Sequence, residues 1–289
     1  MRLATLPSMT VSAAQPTSPA KPARPVRIGV QLHPQHCEYA QLREAVARVE
    51  EAGADVLFNW DHFFPLYGEP DGKHYECWTM LAAWAEQTHR VQIGALVTCN
   101  SYRNPQLLAD MARTVDQISG GRLILGIGSG WFERDYDEYG YEFGTAGRRL
   151  DALGEALPLI ESRLAALDPP PAGALPVLIG GGGERKTLRL VARHADIWHT
   201  FSQGDELAHK IDVLDGHCEA VGRDRSDIEI SVGVGGRGRE GRAPAAPQEE
   251  GEPLRALGAT LFTMGTGGPD FDLSALPAWL EWRDEVNRR

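Results

Sequence analysis

Residues 91–128, VQIGALVTCNSYRNPQLLADMARTVDQISGGRLILGIG, contain the clearest structural pattern in the chain. VQIGALVTC (91–99) and RLILGIG (122–128) are short and apolar on both faces, which predicts buried strands. PQLLADMARTVDQISGG (105–121) repeats apolar residues at helical spacing, begins with a proline and ends with glycines, as helices commonly do. The segment therefore predicts a strand, a helix and a second strand of one parallel sheet.

The same alternation continues in both directions along the chain. Strands are predicted at 26–32, 54–60, 91–99, 122–128, 176–181, 196–201 and 228–235, and in the second half of 254–265. Helices are predicted at 38–53, 75–88, 105–121, 148–167, 184–195, 205–222 and 273–289. This order predicts an α/β fold, a closed (β/α)8 TIM barrel that forms one domain over residues 26–289. An open, Rossmann-like sheet is the alternative.

Three segments depart from the repeating pattern. Residues 1–25 are rich in Pro, Ala, Ser and Thr, and we expect a disordered extension, or an upstream start codon with Met9 as the true start. Residues 235–253 resemble a loop more than a helix, so the seventh unit of the barrel is predicted to be degenerate. Residues 168–176, DPPPAGALP, predict a short, rigid connection within the domain.

Composition limits the classes of function. The chain has 289 residues and a formal net charge of −11, which argues against a general nucleic-acid binder, since such proteins need a basic face. No run of about 18 apolar residues is present, so no membrane span is predicted. The four cysteines have no C-x-x-C spacing, and a reducing, cytoplasmic location is expected. His33 and His36 lack a carboxylate at ligand spacing, so no metal site is predicted.

Polar residues follow the second and third predicted strands, at the end of a barrel where chemistry is expected. Asp61 and His62 come directly after the second strand, and an imidazole there could donate to a ring or pass a proton near neutral pH. The alternative is that Asp61 caps a turn and His62 lies at the surface. Thr98, Cys99 and Asn100 end the third strand, where small polar residues let a flat ring pack closely, although an ordinary strand end would look the same.

Glycines follow the fourth predicted strand. Gly126-Ile127-Gly128-Ser129-Gly130 is not a dinucleotide fingerprint, because the third spacing is wrong and no clean helix is predicted behind it. Gly128 and Gly130 would allow close approach of a ligand to the backbone. Glu133 could orient a substrate or act as an acid, although a solvated surface position is commoner for a lone glutamate.

A run of four glycines, Gly180, Gly181, Gly182 and Gly183, follows the fifth predicted strand and precedes a helical segment. Backbone N–H groups at such a junction form an anion site through their geometry and the helix dipole. A flexible turn is disfavoured, because each glycine loses more conformational entropy on folding than alanine. The run therefore predicts a phosphate site.

Taken together, these residues resemble a known family. WDHF at 60–63, the block at 88–132 and the block GGGGERKTLRLVARHADIW at 180–198 are similar to the luciferase-like superfamily, and most similar to its F420-dependent oxidoreductases. The resemblance covers roughly residues 26–235. It implies a luciferase-like barrel with a deazaflavin, coenzyme F420, across its mouth and a small-molecule substrate beside it.

The resemblance also implies roles for the residues named above. Asp61 and His62 would contact the ring or the substrate, and residues 98–100 would form a strand-three bulge, often with a non-prolyl cis peptide, behind the ring. Gly128, Gly130 and Glu133 would line the pocket, and Gly180 to Gly183 would hold the phosphate. Hydride transfer at C5 of the deazaflavin would use His62 or Glu133 as proton donor or base. The insertion that often covers the substrate is short here, which leaves the substrate open.

Two other functions fit the same resemblance. One is an FMN-dependent monooxygenase that receives reduced flavin from a separate reductase, and the other is a flavin-binding barrel without turnover. The family also implies a homodimer formed through helices beside the second and third strands. The segment 75–87 would supply that interface, because Trp78, Met80, Leu81 and Trp84 make it unusually apolar.

Overall fold

A computed structural model describes residues 24–235 and 244–289, in which strands and helices alternate. The strands are β1 (Arg27–His33), β2 (Val56–Asn59), β3 (Gln92–Ala95), β4 (Thr98–Cys99), β5 (Leu123–Gly128), β6 (Val177–Gly180), β7 (Ile197–Thr200), β8 (Glu229–Val234) and β9 (Ala259–Gly267). The helices are α1 (Tyr39–Ala52), α2 (Cys77–Gln87), α3 (Pro105–Ser119), α4 (Glu133–Tyr139), α5 (Ala146–Ala166), α6 (Thr187–His194), α7 (Gly204–Val221), α8 (Pro247–Ala256) and α9 (Leu276–Asn287).

The sheet closes on itself and confirms the predicted barrel. Every pairing between strands is parallel, and β1 pairs with both β2 and β9. The other edge closes because β5 pairs with both β3 and β4, which are two pieces of the third barrel strand. The barrel therefore has eight strand positions, here called staves, of which β3 and β4 together form one. The carboxyl ends of all eight staves meet at one mouth of the barrel.

The third stave is where the predicted continuous strand over 91–99 is wrong. It stops after Ala95, continues through a cis peptide between Leu96 and Val97, and resumes at Thr98. The neighbouring β5 approaches closely at this break, since a Cβ on Gly126 would lie 1.9 Å from the carbonyl oxygen of Ala95. Only glycine fits at position 126, so the break in the third stave depends on a glycine in β5.

Helix α3 shows how the sequence sets the boundaries of an element. The side chain of Asn104 accepts hydrogen bonds from the first backbone N–H groups of the helix, and Pro105 occupies its first turn. Gly120 ends it in the left-handed conformation, at φ 68°. Between these ends, Leu108, Ala112 and other apolar side chains face the barrel and are buried.

Two helices correct the sequence expectations. Helix α4 opens directly behind the glycines of β5, where no clean helix was predicted. Helix α8 begins at Pro247, within the segment 235–253 that was predicted to be a loop, and continues to Ala256. The carboxylate of Glu250 stabilises this unit, because it accepts hydrogen bonds from the backbone N–H groups of Gly235 and Ala245.

The residues at the chain start lie largely outside the described part, so the predicted disorder of residues 1–25 and the role of Met9 are untested. Among the described residues, no helix has the length and apolarity that crossing a bilayer requires.

Helix α2 does not present the apolar surface that we expected at a dimer interface. The side chains of Trp78, Met80, Leu81 and Trp84 are all buried within the chain's own core. A helix that is apolar around most of its circumference is typical of a position between a barrel and neighbouring helices. These four side chains pack inside the monomer and are not available to a second copy.

Candidate active site

A cavity of about 450 Å³ opens at the carboxyl ends of the strands. It is lined by Gln31, Trp60, Asp61, His62, Leu66, Leu96, Val97, Thr98, Cys99, Gly128, Ser129, Gly130, Trp131, Gly180, Gly181, His199 and Phe201. Its size and its mixture of aromatic walls with a few polar groups are typical of a site for a small molecule or cofactor. Most of the predicted site residues therefore meet in one place.

One wall of the cavity contains glycines from two neighbouring strands, β5 and β6. In the sheet register, Cys99 on β4 pairs with Gly128 on β5, and Gly180 on β6 pairs with His199 on β7. A Cβ on Gly128 would lie 2.7 Å from Cγ2 of Val97, and one on Gly180 would lie 2.9 Å from its Cγ1. The two glycines thus form a cradle over β5 and β6 that makes room for the side chain of Val97, and Val97 lines the cavity there.

His62 is held by a buried carboxylate. Its Nδ1 lies 2.7 Å from Oδ2 of Asp135, and both side chains are buried, Asp135 completely. The hydroxyl of Tyr102 donates to the same Asp135 oxygen at 2.9 Å. The other oxygen accepts from the backbone N–H groups of Phe63 and Phe64 at 3.1 and 3.2 Å. The imidazole is therefore fixed in orientation, and Nε2 is the ring nitrogen that remains for a ligand.

Asp61 lines the cavity, but its carboxylate is already engaged. Arg103 donates to both of its oxygens, at 2.5 and 2.9 Å, and the backbone N–H of Cys99 donates to one of them at 2.9 Å. Burial opposes the charge of Arg103, but its hydrogen bond and proximity to Asp61 raise the guanidinium pKa. Asp61 consequently ties the β2 end to the β4 end and is neutralised by Arg103.

Glu133 is not brought to the cavity. It is the first residue of α4, it is exposed, and it does not belong to the cavity lining. Asp135, two residues further along the same helix, reaches His62 instead. Trp131 lies between the glycines and α4, lines the cavity, and places its ring 5.7 Å from that of His62. In this segment the carboxylate that contacts His62 is therefore that of Asp135 and not that of Glu133.

The three residues predicted to form the strand-three bulge differ in their position relative to the cavity. Thr98 and Cys99 line the cavity, whereas Asn100 is buried at the start of a 3-10 turn outside the cavity lining. The cis peptide lies one residue before Thr98, between Leu96 and Val97. Oγ1 of Thr98 is buried without a hydrogen-bond partner among the described residues. Burial raises the pKa of the Cys99 thiol, which lies 3.2 Å from the Tyr136 hydroxyl.

The glycine run leads from the cavity towards a lysine that sequence analysis did not identify. Gly180 and Gly181 line the cavity, while Gly182 and Gly183 extend beyond it. Lys210, on α7, lies beside the run, since a Cβ on Gly182 would be 2.7 Å from its Nζ.

Helix α6 was predicted to begin directly after the glycine run, but it does not. Residues 184–186 form a turn, and the helix starts at Thr187. At this distance the dipole of α6 would attract an anion only weakly, and the cation of Lys210 adds to that attraction. It is held by Glu206 at 2.7 Å and by the hydroxyl of Ser202 at 3.1 Å.

His199 is a second histidine of the cavity, and it too escaped the sequence analysis. Its Nδ1 lies 2.8 Å from Oγ of Ser231, and burial lowers its pKa to about 3. The only sequence signal was its place at the end of a predicted strand, which many non-functional residues share. Among the described residues, no group of three or more His, Cys, Asp or Glu side chains could hold a metal ion.

Comparison with known proteins places this geometry in context. The sequence model of the luciferase-like monooxygenase family matches residues 23–235. An F420-dependent glucose-6-phosphate dehydrogenase of Amycolatopsis mediterranei is 34% identical over 138 residues, which are 47% of this chain and 40% of that protein. A putative coenzyme F420-dependent oxidoreductase of Mycobacterium tuberculosis is 30% identical over 216 residues, 65% of this chain and 59% of that protein.

A solved structure extends the similarity over most of the fold. The structure of an F420-dependent secondary alcohol dehydrogenase in complex with an F420–acetone adduct superposes with a TM-score of 0.75. The superposition covers 88% of this chain and 99% of that one, at 18% sequence identity. This likeness supports the barrel, and the chain spans about half the length of the two sequence relatives above.

Proposed function

The chain belongs to the luciferase-like monooxygenase family, and we propose that within it the protein is an F420-dependent oxidoreductase. It would transfer a hydride between the deazaflavin and a small organic substrate held in the cavity. The observation that carries this proposal is the pair of His62 and Asp135 beside the glycine cradle, 2.7 Å apart and buried.

The pair supplies what hydride chemistry on an alcohol or a carbonyl group requires. Oxidation of an alcohol carbon releases a hydride and the hydroxyl proton, so a base must lie beside the carbon that reacts. Asp135 holds Nδ1 of His62 and stabilises the imidazolium, which leaves Nε2 to accept the proton or, in the reverse direction, to donate it. Trp60, Trp131 and Phe201 line the same cavity, and a bound ligand would cover the exposed faces of Trp131 and Phe201.

The residues present fit a flavin-type cofactor. Val97 lies over Gly128 and Gly180 and lines the cavity, so a flat ring would pack against this side chain. Thr98 offers a buried hydroxyl oxygen without a partner among the described residues. A bound deazaflavin supplies a two-electron hydride acceptor or donor at its C5 carbon.

The cofactor phosphate would be held at the glycine run. Gly182 and Gly183 offer backbone N–H groups, whereas the N–H of Gly181 donates to the carbonyl oxygen of His199 at 3.0 Å. Lys210 places a cation beside Gly182. The chain as a whole has a net charge of −11 and would repel an anionic ligand. Attraction of that ligand therefore depends on a local cation such as Lys210.

The test is to supply reduced F420 with small ketones and aldehydes, such as acetone and cyclohexanone, without oxygen. We expect substrate-dependent oxidation of the deazaflavin that proceeds at the same rate under air. Turnover that needs reduced FMN and consumes oxygen would overturn the proposal and indicate the monooxygenase. Binding of either cofactor without turnover of any tested substrate would favour the non-catalytic barrel.

We also propose a homodimer in the cytoplasm. The four cysteines are free and buried, which fits a reducing compartment. The dimer rests on the family alone, because the apolar residues of α2 that first suggested it are buried within the monomer. Light scattering at micromolar concentration should give twice the mass of one chain, and a monomeric mass would contradict it.

A further inference from the structure

We propose that His199 is a cofactor-positioning residue whose Nε2 hydrogen-bonds the polar edge of the cofactor ring. The inference rests on the proposed function, because it assumes that a flavin-type ring occupies the cavity. It concerns a residue on β7, opposite β2 in the barrel, which lines the same cavity as His62. It assigns a role to a buried group that proton transfer does not use.

The register of the sheet puts His199 at the border of the glycine cradle. Gly180 pairs with His199 across β6 and β7, and His199 pairs with Ser231 across β7 and β8. Side chains at paired positions of neighbouring strands share one face of a sheet. His199 is therefore the first side chain beyond Gly180 on the face that lines the cavity.

The chemistry of His199 suits a neutral hydrogen bond. Its Nδ1 is held by Oγ of Ser231 at 2.8 Å, and a serine hydroxyl can donate or accept, so either tautomer of the ring is possible. Burial lowers the pKa of His199 to about 3, so the ring is uncharged at neutral pH. Nε2 can then serve as either donor or acceptor without bringing a charge into the cavity.

Nε2 has no protein partner. His199 is only 3% exposed, and this nitrogen is buried without a hydrogen bond among the described residues. Buried polar atoms are usually paired, and His199 belongs to the cavity lining, so we assign the missing partner of Nε2 to an atom of the ligand. The pyrimidine edge of a flavin or deazaflavin carries two carbonyl oxygens and an imide N–H, which are partners of the right kind.

His33 provides a matched control. It is also fully buried, its Nδ1 lies 2.6 Å from the Tyr67 hydroxyl, and burial lowers its pKa to about 4. Its Nε2 is likewise unpaired among the described residues, but His33 does not belong to the cavity lining. The backbone of Gly265 lies beside that nitrogen, since a Cβ added to this glycine would be 2.8 Å from it. A cofactor in the cavity should therefore contact His199 and not His33.

The experiment compares amides that retain one ring nitrogen or the other. In His199→Asn the amide can replace Nδ1 and keep Ser231, but nothing reaches the position of Nε2, whereas His199→Gln can replace Nε2. F420 is titrated into each full-length variant, and both the Kd and the absorption spectrum of the bound cofactor are recorded. We expect His199→Asn to weaken binding about tenfold and to change the spectrum, and His199→Gln to restore the affinity to within about threefold.

Controls separate failure of this inference from failure of the proposed function. His33→Asn should leave both Kd and spectrum unchanged. If His199→Asn does not fold, the double variant His199→Leu/Ser231→Ala removes both partners at once and should show the same loss. Wild-type protein that does not bind F420 would contradict the proposed function. Wild-type binding with an unchanged Kd and spectrum in the His199 variants would overturn the role of His199 alone.

Discussion

His62 and His199 face one cavity from opposite sides of the barrel, and their partners differ. His62 follows β2 and His199 lies on β7, with three staves between them in either direction. Asp135, a buried carboxylate, holds Nδ1 of His62, whereas a neutral hydroxyl, that of Ser231, holds Nδ1 of His199. Both rings are buried and both have one nitrogen fixed.

The difference between these partners separates two tasks. A carboxylate stabilises an imidazolium, so His62 can gain and lose a proton during turnover. A hydroxyl does not compensate for burial, which lowers the pKa of His199 to about 3 and keeps that ring neutral. In this account one barrel uses two histidines for different tasks: His62 transfers a proton, and His199 positions the cofactor ring.

The largest effect should come from removing the proton carrier. A positioned general acid or base contributes about 10²–10⁴ in rate, so His62→Ala should lower the catalytic rate by at least about a hundredfold. The Kd for F420 should change by about tenfold or less, because at most one neutral hydrogen bond to the cofactor is lost. Steady-state rates and fluorescence titrations of the same preparation measure both. A loss of affinity in proportion to activity would make His62 a binding residue.

The binding side of the comparison is tested at the glycine run. Gly182→Asp would place a carboxylate beside Lys210 and next to the expected phosphate. Repulsion between two charges about 4 Å apart is roughly 4 kcal/mol at an effective dielectric of 20, enough to weaken F420 more than a hundredfold. The control is Gly216→Asp on α7, where a Cβ meets nothing within 4 Å. Equal affinities for F420 in the two folded variants would remove the phosphate site.

Asp135→Asn sharpens the role given to the carboxylate behind His62. The amide can no longer stabilise an imidazolium, and we expect a fall in rate of about tenfold to a hundredfold with little change in F420 affinity. Tyr102→Phe removes another hydrogen bond to the same Asp135 oxygen without touching His62, and should leave the rate within about threefold. Equal losses in the two variants would mean that Asp135 acts only through folding.

The smallest effect should follow Glu133→Gln. Because Glu133 is exposed on α4 and outside the cavity lining, we expect rate and affinity to stay within about twofold of the wild type. A rate loss as large as that of His62→Ala would return the proton-transfer role to Glu133.

Most of the fold was predictable because strands and helices leave periodic patterns in the sequence. Periodicity did not predict the break in the third stave, since Leu96 and Val97 continue the apolar pattern of β3 while the chain leaves the ladder between Ala95 and Thr98. The family resemblance did imply a bulge here, but at residues 98–100, just after the cis peptide. Helix α2 was misjudged for a similar reason. Its apolar side chains indicate burial, but periodicity does not say whether the covering surface belongs to the same chain or to another.

The site was predictable where chain geometry itself carries the signal. Gly128 and Gly180 were both predicted to approach the ligand, the first in the pocket and the second at the phosphate, because glycine lets the backbone come close. Both line the cavity, where they make room for Val97. Asp135 could not be predicted, because its partner His62 lies 73 residues away along the chain. Glu133 and Asp135 are two residues apart on α4, about 200° around the helix axis, so the fold turns only one of them inward.

The central claim is that this cavity holds F420. The most direct measurement is a parallel titration of the purified wild-type protein with F420 and with FMN, followed by fluorescence at the same ionic strength. We predict saturable binding of F420 and at least about tenfold weaker binding of FMN, a difference of about 1.4 kcal/mol. Equal or tighter binding of FMN would contradict the account and favour the FMN-dependent monooxygenase.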